Sequence, residues 1–255
     1  MPQLLHLDAS ARRASLSRRI GAAFADAWRA ATPQHTYVHR DLAARPVPPI
    51  GEAWTTICDT LLREGIVEPA RYREAVRTDA QREAWAVLEP LLTELLTADV
   101  VLIGTPMYNF GVPAQLKLWI DQVTFPRMDL RPRRFVIASA RGGSYRPGTP
   151  RAPFDHQERY LVDFFRGHYG VEDTLVIGAE LANSTVDPAM TERRPQHEQS
   201  LAAALAEAMA AGRRMAREAS EVPAGRSLAA ALAEAATAGP RTAGEGSEAP
   251  DGQGR

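Results

Sequence analysis

The sequence predicts an α/β fold in which a parallel β-sheet is covered by helices on both faces. Two observations predict it. Short apolar runs alternate along the chain with longer segments of helical periodicity, the pattern of strands joined by helical crossovers. One run, Val100 to Gly104 (VVLIG), is continuously apolar and ends in turn residues, as suits a strand buried on both faces.

The elements follow in order. Leu4 to Asp8 is the first strand, and a turn-rich, basic stretch from Ala9 to Ser15 comes after it. From Ser17, a candidate N-cap, Ile20, Phe24 and Trp28 recur at helical spacing. Thr36 to Asp41 is a β-prone second strand, and Pro46, Pro48 and Pro49 forbid regular structure beyond it. Glu52 to Arg63 reads as a helix. Val67 to Thr78 is a polar, Arg-rich connection without a clear pattern, and Ala80 to Thr97 is a helix with Trp85, Leu88, Leu92, Leu95 and Leu96 apolar. The third strand, Val100 to Gly104, opens into a loop from Thr105 to Pro113. A helix follows through Leu116, Trp119, Ile120 and Val123. Phe135 to Ala138 is the fourth strand, Gln157 to His168 a helix, Thr174 to Ala179 the fifth strand, and Glu192 to Glu218 the last long helix.

Five such strands fit the flavodoxin-like order 2-1-3-4-5 in three layers, where ligands bind outside the C-terminal strand ends. Right-handed crossovers narrow the orders without singling one out. Residues 1–219 form this domain. Over 220–255 the composition shifts to Ala, Gly, Glu, Ser and Pro. A short Ala-rich helix at Leu228 to Ala236 is compatible with it, and Gly239 to Arg255 reads as a disordered tail without function of its own.

A 255-residue chain with 45 % hydrophobic and 24 % charged residues can bury a sizeable core. The net charge of −1 points to neither nucleic acid nor an acidic membrane surface as partner. Cys58 is the only cysteine, which excludes an intramolecular disulfide and Cys-based zinc or iron–sulfur sites; it reads as buried in a helix and inert. The start, MPQLLHLDAS, has no basic segment followed by an apolar one, and no apolar run reaches the roughly 18 residues that span a bilayer. A reducing, cytoplasmic setting is the expectation.

Three strand-end loops carry residues suited to chemistry. The first, SARRASLS at 10–17, joins a strand to a helix N-terminus, where free N–H groups and the helix dipole attract phosphate. It has neither a dinucleotide glycine fingerprint nor a P-loop. Its hydroxyls at Ser10, Ser15 and Ser17 suit a phosphomonoester, and they equally suit an ordinary N-cap. The second, TPMYNFGVP at 105–113, combines two aromatics, an amide and a glycine. That set suits a flat heteroaromatic ring, or a loop capping the core. The third, SARGGS at 139–144, has paired glycines that allow close backbone approach to a ligand, or make a plain turn.

The segment ADVVLIGTPMYNFGVPAQLKLWIDQVTF, residues 98–125, resembles the signature of the FMN-dependent NADH-azoreductases, within the flavodoxin-like NAD(P)H:quinone oxidoreductases. PMYNFG is its specific part; the serine loop and the Ala-Arg-Gly-Gly turn fall at matching positions. The resemblance spans roughly residues 1–215. It implies that Ser10, Ser15, Leu16 and Ser17 hold the FMN phosphate. Met107, Tyr108, Asn109 and Phe110 lie along the ring edge and ribityl chain, and Ala140, Arg141, Gly142 and Gly143 approach the ring from the other side. The family commonly has Ser or Thr where Ala140 stands, so only backbone contact is expected there. Most members have a longer insertion after the helix that ends near Val123, so the substrate range is expected to differ.

The resemblance further implies an FMN-dependent enzyme that takes hydride from NADH and reduces quinones and aromatic azo compounds in a two-electron ping-pong cycle, as a homodimer. Phe154, Tyr160 and Phe164 suit an interface or the core. Tyr145 and His156 lie near the third loop, but no general acid is assigned. Two other functions remain in view: a flavodoxin-type electron carrier and a flavin-binding sensor. Carriers are usually shorter and strongly acidic, unlike this chain. His35 and His39 stand two strand repeats apart, and with no third ligand nearby no metal site is expected. Arg12, Arg13, Arg18 and Arg19 are candidates to steer phosphate, or form a solvated basic face.

Overall fold

Alternate residues of the inner strands face two separate apolar layers, and this divides the molecule. In the computed structural model, which describes residues 1–221, Leu5 and Leu7 of β1 (Gln3–Asp8) join one core while Leu4 joins the other. In β3 (Val100–Pro106), Val101 and Ile103 face the first core and Val100 and Leu102 the second. With β2 (Thr36–Asp41), β4 (Arg134–Ala140) and β5 (Thr174–Ala179) they form one five-stranded sheet, order β2-β1-β3-β4-β5, with every pair parallel. The 2-1-3-4-5 expectation holds.

One face carries α1 (Leu16–Ala31) and α6 (Arg194–Glu221). Ile20, Phe24 and Trp28 point inward, and the two helices cross closely at Gly212, where a Cβ would come within 2.3 Å of the Phe24 carbonyl oxygen. The other face carries α2 (Glu52–Glu64), α3 (Asp79–Thr97), α4 (Ala114–Val123) and α5 (His156–Tyr169). The α3 start is a full capping box: Gln81 N–H donates to Thr78 Oγ1 at 3.2 Å, and the Gln81 side chain accepts from the Thr78 N–H at 3.0 Å. The stretch after α2 contains a 3₁₀ segment, Pro69–Ala75.

Three local expectations need correction. Helix α1 begins at Leu16 with Ser15, in extended backbone, as its N-cap; Ser17 is fully buried inside the first turn. Strand β3 runs on through Thr105 and Pro106, which pair with Ser139 and Ala140, so the second loop begins only at Met107. By the same pairing Ala140 is the last residue of β4 rather than a loop residue. The short connection from α4 to β4 packs inward: Phe125 lies 5.4 Å from Trp54 and 4.7 Å from Tyr72 between ring centroids. Ser220 and Glu221 still belong to α6, and the expectations for the remainder of the tail, including a helix at 228–236, lie outside the described residues.

Candidate functional site

The three loops emerge from β1, β3 and β4, which are adjacent in the sheet, so they meet at one edge. Direct bonds join them. The Ala11 N–H donates to the Tyr108 hydroxyl at 3.4 Å, linking the first loop to the second. The Met107 N–H donates to the Ala140 carbonyl at 2.9 Å, linking the second to the end of β4.

In the first loop, the N-terminus of α1 has neither a side-chain cap nor an acidic residue in its first turn. Its N–H groups and dipole are therefore uncompensated by side chains, the state that favours an anion. Ser10, Ser15 and Ser17 are all buried. Ser15 and Ser17 share a hydrogen bond of 2.9 Å between hydroxyls, and Ser10 Oγ accepts from the Arg12 N–H at 3.2 Å. Among the arginines, Arg12, Arg13 and Arg19 are exposed. Arg18 is not free to meet a ligand: its guanidinium donates to the Ser10 carbonyl at 2.7 Å, to Asp41 at 2.8 Å and to Asp8 at 3.3 Å. The hydrogen bond from Arg18 holds the Asp41 carboxyl down at about 2.

The second loop is a tight hairpin. Tyr108 and Gly111 exchange backbone hydrogen bonds of 3.1 and 2.9 Å. The two residues between them, Asn109 and Phe110, have φ of 49° and 67°, the left-handed pairing of a type I′ turn. For a phenylalanine this backbone costs roughly 1–2 kcal/mol. The conformation lifts Tyr108, Asn109 and Phe110 into solvent; Phe110 then packs at a tilt 5.5 Å from Phe154 and meets Tyr145 edge-on at 6.3 Å. Tyr108 and Phe110 are thus both exposed and not buried in the core.

The third loop is held from behind. The carbonyls of Arg141, Gly142 and Gly143 accept from the N–H groups of Ala182, Asn183 and Leu181 at 3.0 to 3.1 Å. Glu180, buried, accepts from the Ser144 hydroxyl at 2.8 Å and the Tyr145 N–H at 2.9 Å. The Arg141 side chain is sequestered by Asp155 and Glu158, and its N–H donates to the Ala179 carbonyl at 2.9 Å, so Arg141 shapes the loop and is itself tied up within the protein. The glycines answer to the protein as well as to any ligand. A Cβ at Gly142 would meet the Asn183 side chain at 2.6 Å, and one at Gly143 the Arg151 side chain at 2.9 Å.

An open groove of about 1170 Å³ borders the second loop, between α4 and α5. It shares only Tyr108 and Asn109 with the expected ligand residues, and Tyr160, Phe164, His156 and His168 help line it. Tyr145 is buried and His156 exposed. Cys58 is buried in α2, and burial pushes its thiol up to about 12, as expected of an inert residue.

The two histidines of the second strand separate. His35 precedes β2 and bonds Thr32 and Ser220 at 2.9 and 3.0 Å. His39 pairs in register with His6 of β1 and lies 2.9 Å from Asp8. The expectation that no third ligand stands near His39 is therefore wrong: His6, Asp8 and His39 gather into one group. His6 and Asp8 come from the neighbouring strand β1, and only the β1–β2 register reveals them. The Glu180 to Asn183 segment was likewise missed, because no residue type there marks it as support for the third loop.

A family model described as "Flavodoxin-like fold" matches residues 2–211. A protein of Nocardia farcinica named FMN-dependent NADH:quinone oxidoreductase is 65 % identical over 205 residues, 80 % of this chain and 95 % of that protein. One of the same name from Streptomyces coelicolor is 38 % identical over 220 residues, 82 % of this chain and 93 % of that one. Among solved structures, an FMN-dependent NADH-azoreductase from Bacillus anthracis in complex with FMN has a TM-score of 0.66 at 20 % identity, covering 85 % of this chain and 100 % of that chain. That likeness is one of fold.

Proposed function

The chain belongs to the flavodoxin-like family that contains the FMN-dependent NADH:quinone oxidoreductases, and from that premise we propose that it binds FMN at the β1–β3–β4 edge and reduces quinones and aromatic azo compounds with NADH. The observation that carries this reading is the convergence of three loops whose donors match the parts of that cofactor. The α1 N-terminus, uncapped by any side chain, fits a phosphomonoester, with Ser10, Ser15, Leu16 and Ser17 around it. The raised hairpin of Met107, Tyr108, Asn109 and Phe110 fits a flat ring and its polyol chain. The Ala140 to Gly143 backbone closes the other side. When bound, FMN supplies two-electron hydride chemistry.

The chain's own contribution is position and electrostatics. The first loop fixes the anionic end. N–H groups around Asn109 and Gly142 are placed to favour negative charge on a ring lying against them, by the logic of an oxyanion hole. Phe110 and Phe154, both exposed and with Phe110 backed edge-on by Tyr145, present an aromatic surface on which a flat, electron-poor acceptor can stack. One open face serves donor and acceptor in turn, hence a ping-pong cycle.

The active form in this reading is a homodimer. The aromatic-lined α4–α5 groove beside Tyr108 and Asn109 supports it, since a second copy seated there would wall the ring site. No described helix is long and apolar enough to cross a membrane; a cytoplasmic, reducing location agrees with a lone, buried, unreactive cysteine. Initial-rate kinetics with NADH and a benzoquinone test the cycle. Parallel double-reciprocal lines are expected; intersecting lines would require a ternary complex and overturn the ping-pong scheme.

A further inference from the structure

We propose that His6, Asp8 and His39 form a binding site for a divalent cation of zinc's type, one that clamps edge strand β2 to β1 beneath the first loop. The proposal is independent of the flavin reading.

The three residues come together through strand register. His6 and His39 are directly paired across β1 and β2, with ring centroids 5.0 Å apart, and Asp8 lies on the same face as His6, two residues on. Their ligand atoms all lie within 4.8 Å of one another. His39 Nε2 is 2.9 Å from Asp8 Oδ2, and His6 Nε2 is 3.7 Å from Asp8 Oδ1. Ligand atoms on a tetrahedral zinc ion bonded at about 2.0–2.1 Å stand about 3.3 Å apart, a spacing these two distances straddle. Two imidazoles and a carboxylate are the donors such an ion prefers in the absence of thiolate.

The protein alone leaves this cluster unsatisfied. Asp8 Oδ2 is served by His39 and Arg18. Asp8 Oδ1 and His6 Nε2 are both buried without a hydrogen-bond partner, and they face each other at a distance too long for one. His6 is 2 % exposed, so the orphaned nitrogen is aimed into the interior. Two glycines border the two orphaned atoms. A Cβ at Gly21 would fall 2.6 Å from His6 Nε2, and one at Gly104 2.5 Å from Asp8 Oδ1.

The surroundings resemble the outer shell of a metal site. His6 Nδ1 lies 2.9 Å from the Tyr37 hydroxyl, which can fix the tautomer that leaves Nε2 unprotonated. The Arg18 guanidinium near Asp8 does not forbid a cation, because Asp41 also pairs with it. Two carboxylates against one guanidinium leave one negative charge. The His39 side chain, 39 % exposed, gives an entry path and room for a water as fourth ligand.

The test is calorimetric titration of the full-length, chelator-treated and dialysed protein with zinc chloride at neutral pH. Melting curves with and without zinc run alongside. One saturable site per chain is expected, with a rise in melting temperature. His39→Gln removes an exposed ligand, and Gly21→Ala replaces no ligand but crowds His6 Nε2, which a Cβ there would approach to 2.6 Å. Each is expected to weaken zinc binding by about tenfold or more and to abolish the thermal shift. Absence of saturable binding in the parent protein would overturn the proposal. So would undiminished binding in both variants, which would place the ion on surface histidines such as His156 and His168.

Discussion

Arg18 donates to the backbone carbonyl of Ser10 at 2.7 Å. The most conspicuous basic side chain beside the expected phosphate site thus holds the loop instead of the ligand. Asp8 and Asp41 set its direction, and the bond to Ser10 carries that order into the loop. Replacing Arg18 with Gln should leave the fold intact and loosen the first loop. A hydrogen bond from a charged group contributes about 1.5–3 kcal/mol, so FMN affinity should fall by about ten- to a hundredfold, read by fluorescence titration of the apoprotein. Unchanged affinity would show that the loop keeps its shape without Arg18.

The serines make a second prediction. Ser15 and Ser17 are bonded to each other in the first turn of α1. Replacing both with Ala removes two hydroxyls next to the proposed phosphate. It should weaken FMN binding while leaving the near-ultraviolet circular dichroism of the apoprotein unchanged. Full flavin retention in the double variant would remove these hydroxyls from the site.

Gly142 and Asn183 form a testable pair. Alanine at 142 would drive its Cβ to 2.6 Å from the Asn183 amide, overpacking that costs roughly 1–3 kcal/mol. Gly142→Ala should therefore melt at a lower temperature and lose flavin more readily. Adding Asn183→Ala should restore most of the loss. If the double variant is as impaired as the single one, the glycine is required for ligand approach and not for this packing.

Cys58 supplies a chemical check on burial. Its thiol is pushed up from 9.0 to about 12, so the protonated form is favoured in the folded state. The thiolate that reacts with alkylating agents is then about a thousandfold scarcer than in the unfolded chain at mildly alkaline pH. Its contribution to stability is full below pH 9 and is lost as the pH rises towards 12. Iodoacetamide at pH 8 should modify urea-unfolded protein promptly and native protein hardly at all. Equal rates would show that α2 opens readily.

The sheet was legible in the sequence because its inner strands are local apolar runs, VVLIG above all, whereas right-handed crossovers left several strand orders open and only the strand pairing singles one out. The three loops were legible by residue type and position after those strands. What escaped depends on contacts distant in sequence. Pairing of Pro106 with Ala140 extends β3 and β4 beyond their apolar stretches. The switch of Arg18 from ligand to loop depends on Asp41, which arrives on another strand. His39 looked isolated because His6 and Asp8, over thirty residues earlier, reach it only through the β1–β2 register. The Leu181 to Asn183 backing of the third loop rests on backbone hydrogen bonds, which side-chain identity does not announce.

The most direct test of the central claim is an absorbance spectrum of purified, dialysed protein reconstituted with FMN, taken before and after anaerobic NADH. The account predicts flavin bands that stay with the protein through gel filtration and bleach on addition of NADH. A protein that takes up no FMN would contradict it and leave an α/β fold whose three loops serve some other ligand.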